Sequence, residues 1–200
     1  MPPRAAVSVS GAITLARHGE PALSRRVRLD AAGYRRWWAA YEEGGILDGQ
    51  TPPAELVELS RRADAIFAST RRRALETADA VVSGRHFVRD ALFIEAPLPP
   101  PSLPRFVRLN PRTWGVIARS AWWFFGHHEG QEKRAEAEAR ARQAVARLVA
   151  EAQGGREVLV LAHGFFNAMI SRELKRQGWL QVAGVGPFTR YWQTRRFERP

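Results

Sequence analysis

The chain reads as an α/β protein, a three-layer α/β/α sandwich with a mostly parallel central sheet, and two observations predict it. Three short apolar runs, Ile13 to Ala16, Ala65 to Ala68 and Val158 to Ala162, have the length and composition of buried strands. Between and after them lie stretches of helical periodicity, and strand, helix and strand in alternation bury a sheet between helical layers. With 200 residues and 45% hydrophobic content, the chain can bury one substantial core, so a single domain spanning residues 1–200 is expected.

The first run, Ile13-Thr14-Leu15-Ala16, breaks off into Arg17-His18-Gly19-Glu20 with Pro21 behind it, which reads as a strand delivering a histidine into a loop. Tyr34, Trp37, Trp38 and Tyr41 then recur at helical spacing after Asp30, a cap candidate, and Gly44-Gly45 ends the pattern. Thr51-Pro52-Pro53 opens a second helix that runs to about Arg62. The strand Ala65 to Ala68 leads into a helix whose expected cap is Ser69 or Thr70. Leu92-Phe93-Ile94 reads as a strand ending at Glu95, and a proline-rich loop, Ala96 to Pro104, follows.

Next comes an aromatic segment, with Trp114, Trp122, Trp123, Phe124 and Phe125 flanked by Arg105, Arg108, Arg112 and Arg119. It suits a core-packing helix, a substrate pocket or lid, or a dimer or membrane-surface contact through Trp122, Trp123, Phe124 and Phe125. Residues 129 to 153 predict a helix with Ala141, Val145, Leu148, Val149 and Ala152 on one face, stopped by Gly154-Gly155. Val158 to Ala162 ends in His163-Gly164 and a further helix, and Phe188 to Trp192 reads as a last strand before a basic tail.

Reactive groups in α/β folds sit where strands end, over a rigid sheet and within reach of solvent. Here two strands end in His-Gly, and a third ends in the arginine-rich corner Ser69 to Ala78. Guanidinium groups are forked and permanently charged, which suits phosphoryl oxygens. A helix amino-terminus adds free N–H groups. An imidazole among them is largely unprotonated at neutral pH and can attack phosphorus. The pattern points to phosphoryl transfer through a phosphohistidine.

The same residues resemble the histidine phosphatase superfamily, the phosphoglycerate mutase-like proteins, over Ile13 to about Trp179. Its elements are matched in order by Arg17-His18-Gly19-Glu20, Ser69 to Ala78 with Arg73 before Ala74, Glu95, and His163-Gly164. The resemblance implies a phosphoglycerate mutase-like fold and a metal-independent phosphatase without cofactor. His18 would be the nucleophile, Arg17, Arg73 and His163 would hold the phosphoryl oxygens, and Glu95 would donate the proton, with Asp90 its competitor. Gly19, Ser24 and Gly164 are candidate substrate contacts. Ser24 stands where relatives often carry a phosphate-touching asparagine, and Arg25 and Arg26, which follow it, are weaker candidates. Arg71 and Arg72 compete with Arg73, which the Arg-Ala spacing favours. The variable segment of the family falls at about residues 97–128. The lack of long insertions favours a phosphatase over a mutase, and the Arg-His-Gly-Glu-Pro form is similar to the alpha-ribazole phosphatase branch. The substrate is a phosphorylated small molecule or a phosphoprotein.

His86 follows an arginine but lacks the glycine and the strand end, and reads as structural. His127-His128 has no accompanying ligand set of zinc spacing. The chain has no cysteine, which excludes disulfides and thiol chemistry. Met1-Pro2-Pro3-Arg4 does not open a signal peptide and no apolar run reaches membrane-spanning length, so a cytoplasmic location is expected. The net charge of +11, carried almost wholly by arginine, would steer anionic substrates. It equally suits a non-catalytic protein that binds phosphate or nucleic acid on a basic surface, although no sequence-specific nucleic-acid motif is present.

Overall fold

The computed structural model describes residues 11–186 and 188–199; the expectation for Met1 to Arg4 lies outside them. Six strands form one sheet in the order β3-β2-β4-β1-β6-β5. β1 (Ala12–Arg17) lies inside it, and all six of its residues are buried, as a continuous apolar run requires. β1 pairs in parallel with β4 (Glu157–Ala162), which pairs in parallel with β2 (Ala65–Ala68), and β2 pairs likewise with the short β3 (Val88–Arg89). On the other side β6 (Thr194–Glu198) runs antiparallel to both β1 and β5 (Leu180–Ala183). The sheet is thus mostly parallel with an antiparallel margin.

Alternate residues of the central strands face opposite layers. Ile13, Leu15, Val158 and Val160 pack with α5 (Arg134–Glu151) and α6 (Gly164–Arg176) through Val145, Leu148, Phe166 and Ile170. Ala16, Leu159, Leu161 and Ile66 pack on the opposite face with α2 (Ala54–Arg62) and α3 (Arg72–Val82) through Leu56, Ala78 and Val81. A separate cluster joins α1 (Ala31–Glu43) to α4 (Pro111–Phe125) through Tyr34, Trp37, Trp114 and Ala118. Asp30 caps α1 by accepting the Gly33 N–H at 2.7 Å, and Asn110 caps α4 through Thr113 at 3.0 Å.

Four expectations are corrected. Leu92 to Ile94 is not a strand: Asp90 accepts the Leu92 N–H and closes a 3-10 turn, Ala91–Phe93, which drops Phe93 into the core. The last strand lies at Thr194–Glu198 rather than at Phe188 to Trp192, because β1 needs a neighbour on its free edge and residues 194–198 supply it. Neither Ser69 nor Thr70 caps α3; Arg71 occupies the cap position without a side-chain bond. The helix expected from residue 129 begins at Arg134, where Glu136 accepts the Lys133 N–H.

The aromatic segment divides between two environments. Trp114 and Trp122 are fully buried, and Trp122 donates to the Glu132 carbonyl, so Trp122 is not part of an exposed contact surface. Trp123 is half-buried under the Arg134 guanidinium, and the exposed rings are Phe124 and Phe125. Among the described residues no helix is long and apolar enough to cross a membrane.

Candidate active site

Register brings the two histidines together. Arg17 lies opposite Ala162 across the parallel β1–β4 pair, so His18 and His163 leave neighbouring strands at the same level. Their rings meet edge to face with centroids 5.3 Å apart. The His18 backbone N–H donates to the Ala162 carbonyl at 2.9 Å, which ties the loop to the sheet. His18 Nδ1 lies 2.7 Å from the Gly19 carbonyl oxygen. A carbonyl can only accept, so Nδ1 carries the proton and Nε2 keeps its lone pair. Burial pushes the His18 pKa well below the ordinary imidazole value, and the Arg73 and Arg17 charges push it the same way.

His163 is buried too, and its pKa is lowered well below the usual value by burial, with Arg73 and His18 adding to it. Its Nε2 lies 2.8 Å from Ser69 Oγ, while its Nδ1 has no partner among the described residues. Ser69 therefore serves the site by fixing this ring rather than by capping α3.

Arg73, fully buried, is held by Tyr41 and Glu42: it donates to the Tyr41 carbonyl at 2.8 Å and to Glu42 Oε1 at 2.7 Å. Arg71 shares Glu42 at 2.9 Å, whereas Arg72 points to solvent and pairs with Glu76. The buried arginine is thus Arg73, as its spacing suggests. Arg17 donates to the Phe188 carbonyl at 3.0 Å and lies 4.8 Å from the Tyr191 ring. Burial lowers its pKa, and its Nε has no partner among the described residues.

Glu95 sits at the amino-terminus of α6, where its carboxylate accepts the Phe166 N–H at 2.8 Å and the Phe165 N–H at 3.2 Å. Asp90 instead caps the 3-10 turn and pairs with Arg147 at 2.8 Å. Two glycines are needed for close approach. A Cβ on Gly19 would lie 2.5 Å from the Trp192 ring, and one on Gly164 would lie 2.6 Å from the Phe188 carbonyl and 3.2 Å from Arg17 Nε.

A cleft of about 930 Å³ adjoins this arrangement, lined by Arg17, Glu95, Gly164 and Tyr191 together with Tyr34, Trp38, Gly115 and Arg119, while His18, His163 and Arg73 are buried and outside its lining. Ser24 is exposed and its hydroxyl accepts the Arg26 N–H, so it does not reach the cleft. Its neighbour Arg25 does, donating to the Tyr41 hydroxyl at 2.6 Å. Sequence reasoning missed Thr77, which accepts the Gly19 N–H at 3.0 Å, and Tyr191; Thr77 stood within the arginine-rich motif, and Tyr191 carried no signal. His86 is exposed, and His127 meets the Pro100 carbonyl well away from the paired histidines. Among the described residues no cluster of three or more His, Cys, Asp or Glu could hold a metal.

The sequence model of the histidine phosphatase superfamily (branch 1) matches residues 54–184, a stretch that holds Arg73, Glu95 and His163 and begins after His18. Among solved structures, a mycobacterial glucosyl-3-phosphoglycerate phosphatase in complex with VO3 is 23% identical, with 94% of this chain and 90% of that chain covered and a TM-score of 0.60. A phosphoglycerate mutase from Bacillus anthracis is 16% identical over 86% of this chain and 82% of that one, with a TM-score of 0.57. A phosphoserine phosphatase from Entamoeba histolytica is 14% identical over 83% and 80% of the two chains, with a TM-score of 0.55. At these identities the likeness is one of fold. No curated protein matches the chain significantly.

Proposed function

The chain belongs to the histidine phosphatase superfamily, whose members are phosphatases or mutases, and from that premise we propose that it hydrolyses a phosphomonoester through a phosphohistidine at His18. The observation that carries this reading is the His18 ring itself: Nδ1 is committed to the Gly19 carbonyl, and the ring stays neutral among arginines, so Nε2 is a ready nucleophile. Arg17 and Arg73 stabilise the charge on the equatorial oxygens from positions set before the substrate arrives. His163 Nε2 bonds the Ser69 hydroxyl, and in the tautomer in which it accepts there its Nδ1–H is free for a phosphoryl oxygen.

In the first step the Nε2–P bond forms, the P–O ester bond breaks, and the protonated Glu95 carboxyl gives its proton to the leaving oxygen. In the second step Glu95 takes a proton from water as the water oxygen attacks phosphorus and the Nε2–P bond breaks. Phosphate leaves and Glu95 is again protonated. The protein's own cations supply the charge stabilisation, so the reaction needs no metal.

The test is hydrolysis of 4-nitrophenyl phosphate with EDTA present, in the native protein and in His18→Ala, together with vanadate inhibition. Vanadate-sensitive activity that disappears in the variant supports the mechanism. Activity that survives His18→Ala overturns it.

A further inference from the structure

One stretch of the chain gathers the exposed apolar surface. Of the nine large apolar side chains that stand exposed among the described residues, five fall between Leu103 and Phe125: Leu103, Phe106, Val116, Phe124 and Phe125. Phe106 is 85% exposed, Phe124 75% and Phe125 84%. Exposed phenylalanines forgo the burial that folding usually secures, and a cluster of them marks a surface that meets something else.

The layout of α4 turns these groups outward. Its inner face, with Trp114, Ala118 and Trp122, is already buried against the body of the protein. Arg112, Val116, Ser120 and Phe124 follow one another four residues apart and so form a row on another side of the helix. Val116 is 60% exposed in the middle of that row. Beside it the surface dips into a groove of about 930 Å³ lined by Pro101, Ile117, Phe125 and His127 among others. Val116 also lines the cleft described above, so it stands at the boundary of groove and cleft.

Charge tells what meets this surface. Between Glu95 and Glu129 the sequence has no acidic residue and four arginines, of which Arg105, Arg108 and Arg112 are exposed. The acidic residues that follow are already matched: Glu129 pairs with Arg35 and Glu132 with Arg140. The segment is therefore apolar and cationic with no anion of its own, on a chain of net charge +11. A symmetric dimer through it would bring two copies of the same arginine-rich, acid-free surface together. Single-stranded nucleic acid would meet the arginines and stack on phenylalanine, but it offers nothing to Val116 and Leu103. An anionic bilayer satisfies both kinds of group, since its headgroups take the guanidinium ions and its upper acyl region takes the rings and aliphatic side chains.

We propose that this face of α4, with the turn at Arg105 and Phe106 ahead of it, docks on anionic lipid membranes, Phe124 and Phe125 entering the interface while Arg105, Arg108 and Arg112 hold headgroups. Docking sets the helical rim of the cleft at the headgroup layer. The inference stands apart from the phosphatase reading, because binding is measured without turnover.

The experiment sediments the full chain with vesicles of equal parts phosphatidylglycerol and phosphatidylcholine, and with vesicles of phosphatidylcholine alone, in about 0.1 M salt. Binding to the anionic vesicles is expected, with little to the neutral ones. Phe124→Ser with Phe125→Ser should weaken it by about tenfold or more, whereas Phe124→Leu with Phe125→Leu should retain it. Arg105→Gln with Arg108→Gln should weaken it by roughly thirtyfold, about fivefold for each charge, and tests the same face independently of the rings. All four positions are exposed, so thermal melts of the variants should match the native protein. No binding to the anionic vesicles overturns the proposal. Binding that the serine pair leaves unchanged overturns it too, being the attraction of a cationic chain for any anionic surface. A dimer in sedimentation equilibrium that the serine pair dissociates, or a single-stranded oligonucleotide that binds where vesicles do not, assigns the face to another partner and equally overturns it.

Discussion

The buried floor beside the cleft, where the two histidines meet, and the cleft's outer wall are built by different means. On the floor, polar side chains are tied to strand ends and main chain: His18 to the Gly19 carbonyl, Arg73 to the Tyr41 carbonyl and Glu42, and Asn167 to the Ala16 carbonyl at 3.0 Å. The wall is made of α1 and α4, which meet through stacked aromatic rings. The difference teaches how firmly each region fixes its side chains. The groups proposed to hold a reacting phosphorus rest on the rigid sheet. The wall rests on helix-to-helix packing instead.

The sharpest way to break the comparison is at the floor. His18→Ala is expected to lower kcat on 4-nitrophenyl phosphate by about 10⁴ or more with stability little changed, as for loss of a covalent nucleophile; rates and thermal melts measure both. At the wall the order of effects reverses. Trp114→Ala removes the ring on which Tyr34 stacks and should cost about 3–5 kcal/mol of stability in urea unfolding, with KM rising more than kcat falls. Glu95→Gln sharpens the boundary between the two regions. Its kcat should fall by about 10²-fold on an alkyl phosphate, which needs the proton, and by much less on 4-nitrophenyl phosphate, whose leaving group does not.

The smallest effect concerns pH. His18 and His163 have folded-state pKa values well below the unfolded imidazole value. Below about pH 6.5 the unfolded chain therefore takes up protons that the folded one refuses, and stability falls as pH falls. The slope is at most about 1.4 kcal/mol per pH unit for each histidine and vanishes above about pH 7. Unfolding titrations from pH 7 to pH 5 should show it, and His163→Asn should make it shallower.

The floor was legible in the sequence because its signals are local. An apolar run that stops at His-Gly announces a strand end, and His18, His163 and Arg73 all stand where that reading put them. Glu95 was found by its place in a motif but assigned the wrong setting, since the Asp90 side chain closes a turn that propensity reads as a strand. Ser24 was chosen by spacing alone. A loop of that length can present either neighbour, and Arg25 is the residue that packs on Tyr41. The wall was hardly legible at all. The stack of Tyr34 on Trp114 joins residues eighty positions apart, and the periodicity of either helix says only that it has an apolar face, not what that face meets. β6 escaped detection for a related reason: Thr-Arg-Arg-Phe-Glu is polar enough to read as a tail, and only the open edge of β1 makes it a strand.

The placement of β1 also governs the order of assembly. Its two hydrogen-bonding neighbours, β4 and β6, both come from the last third of the sequence. During synthesis the strand that carries Arg17 emerges before either neighbour, and neither edge is paired until β4 follows. Such pairing across a long intervening chain is slow to form and leaves adhesive backbone exposed meanwhile. The histidine at its end therefore meets His163 only after β4 has been made.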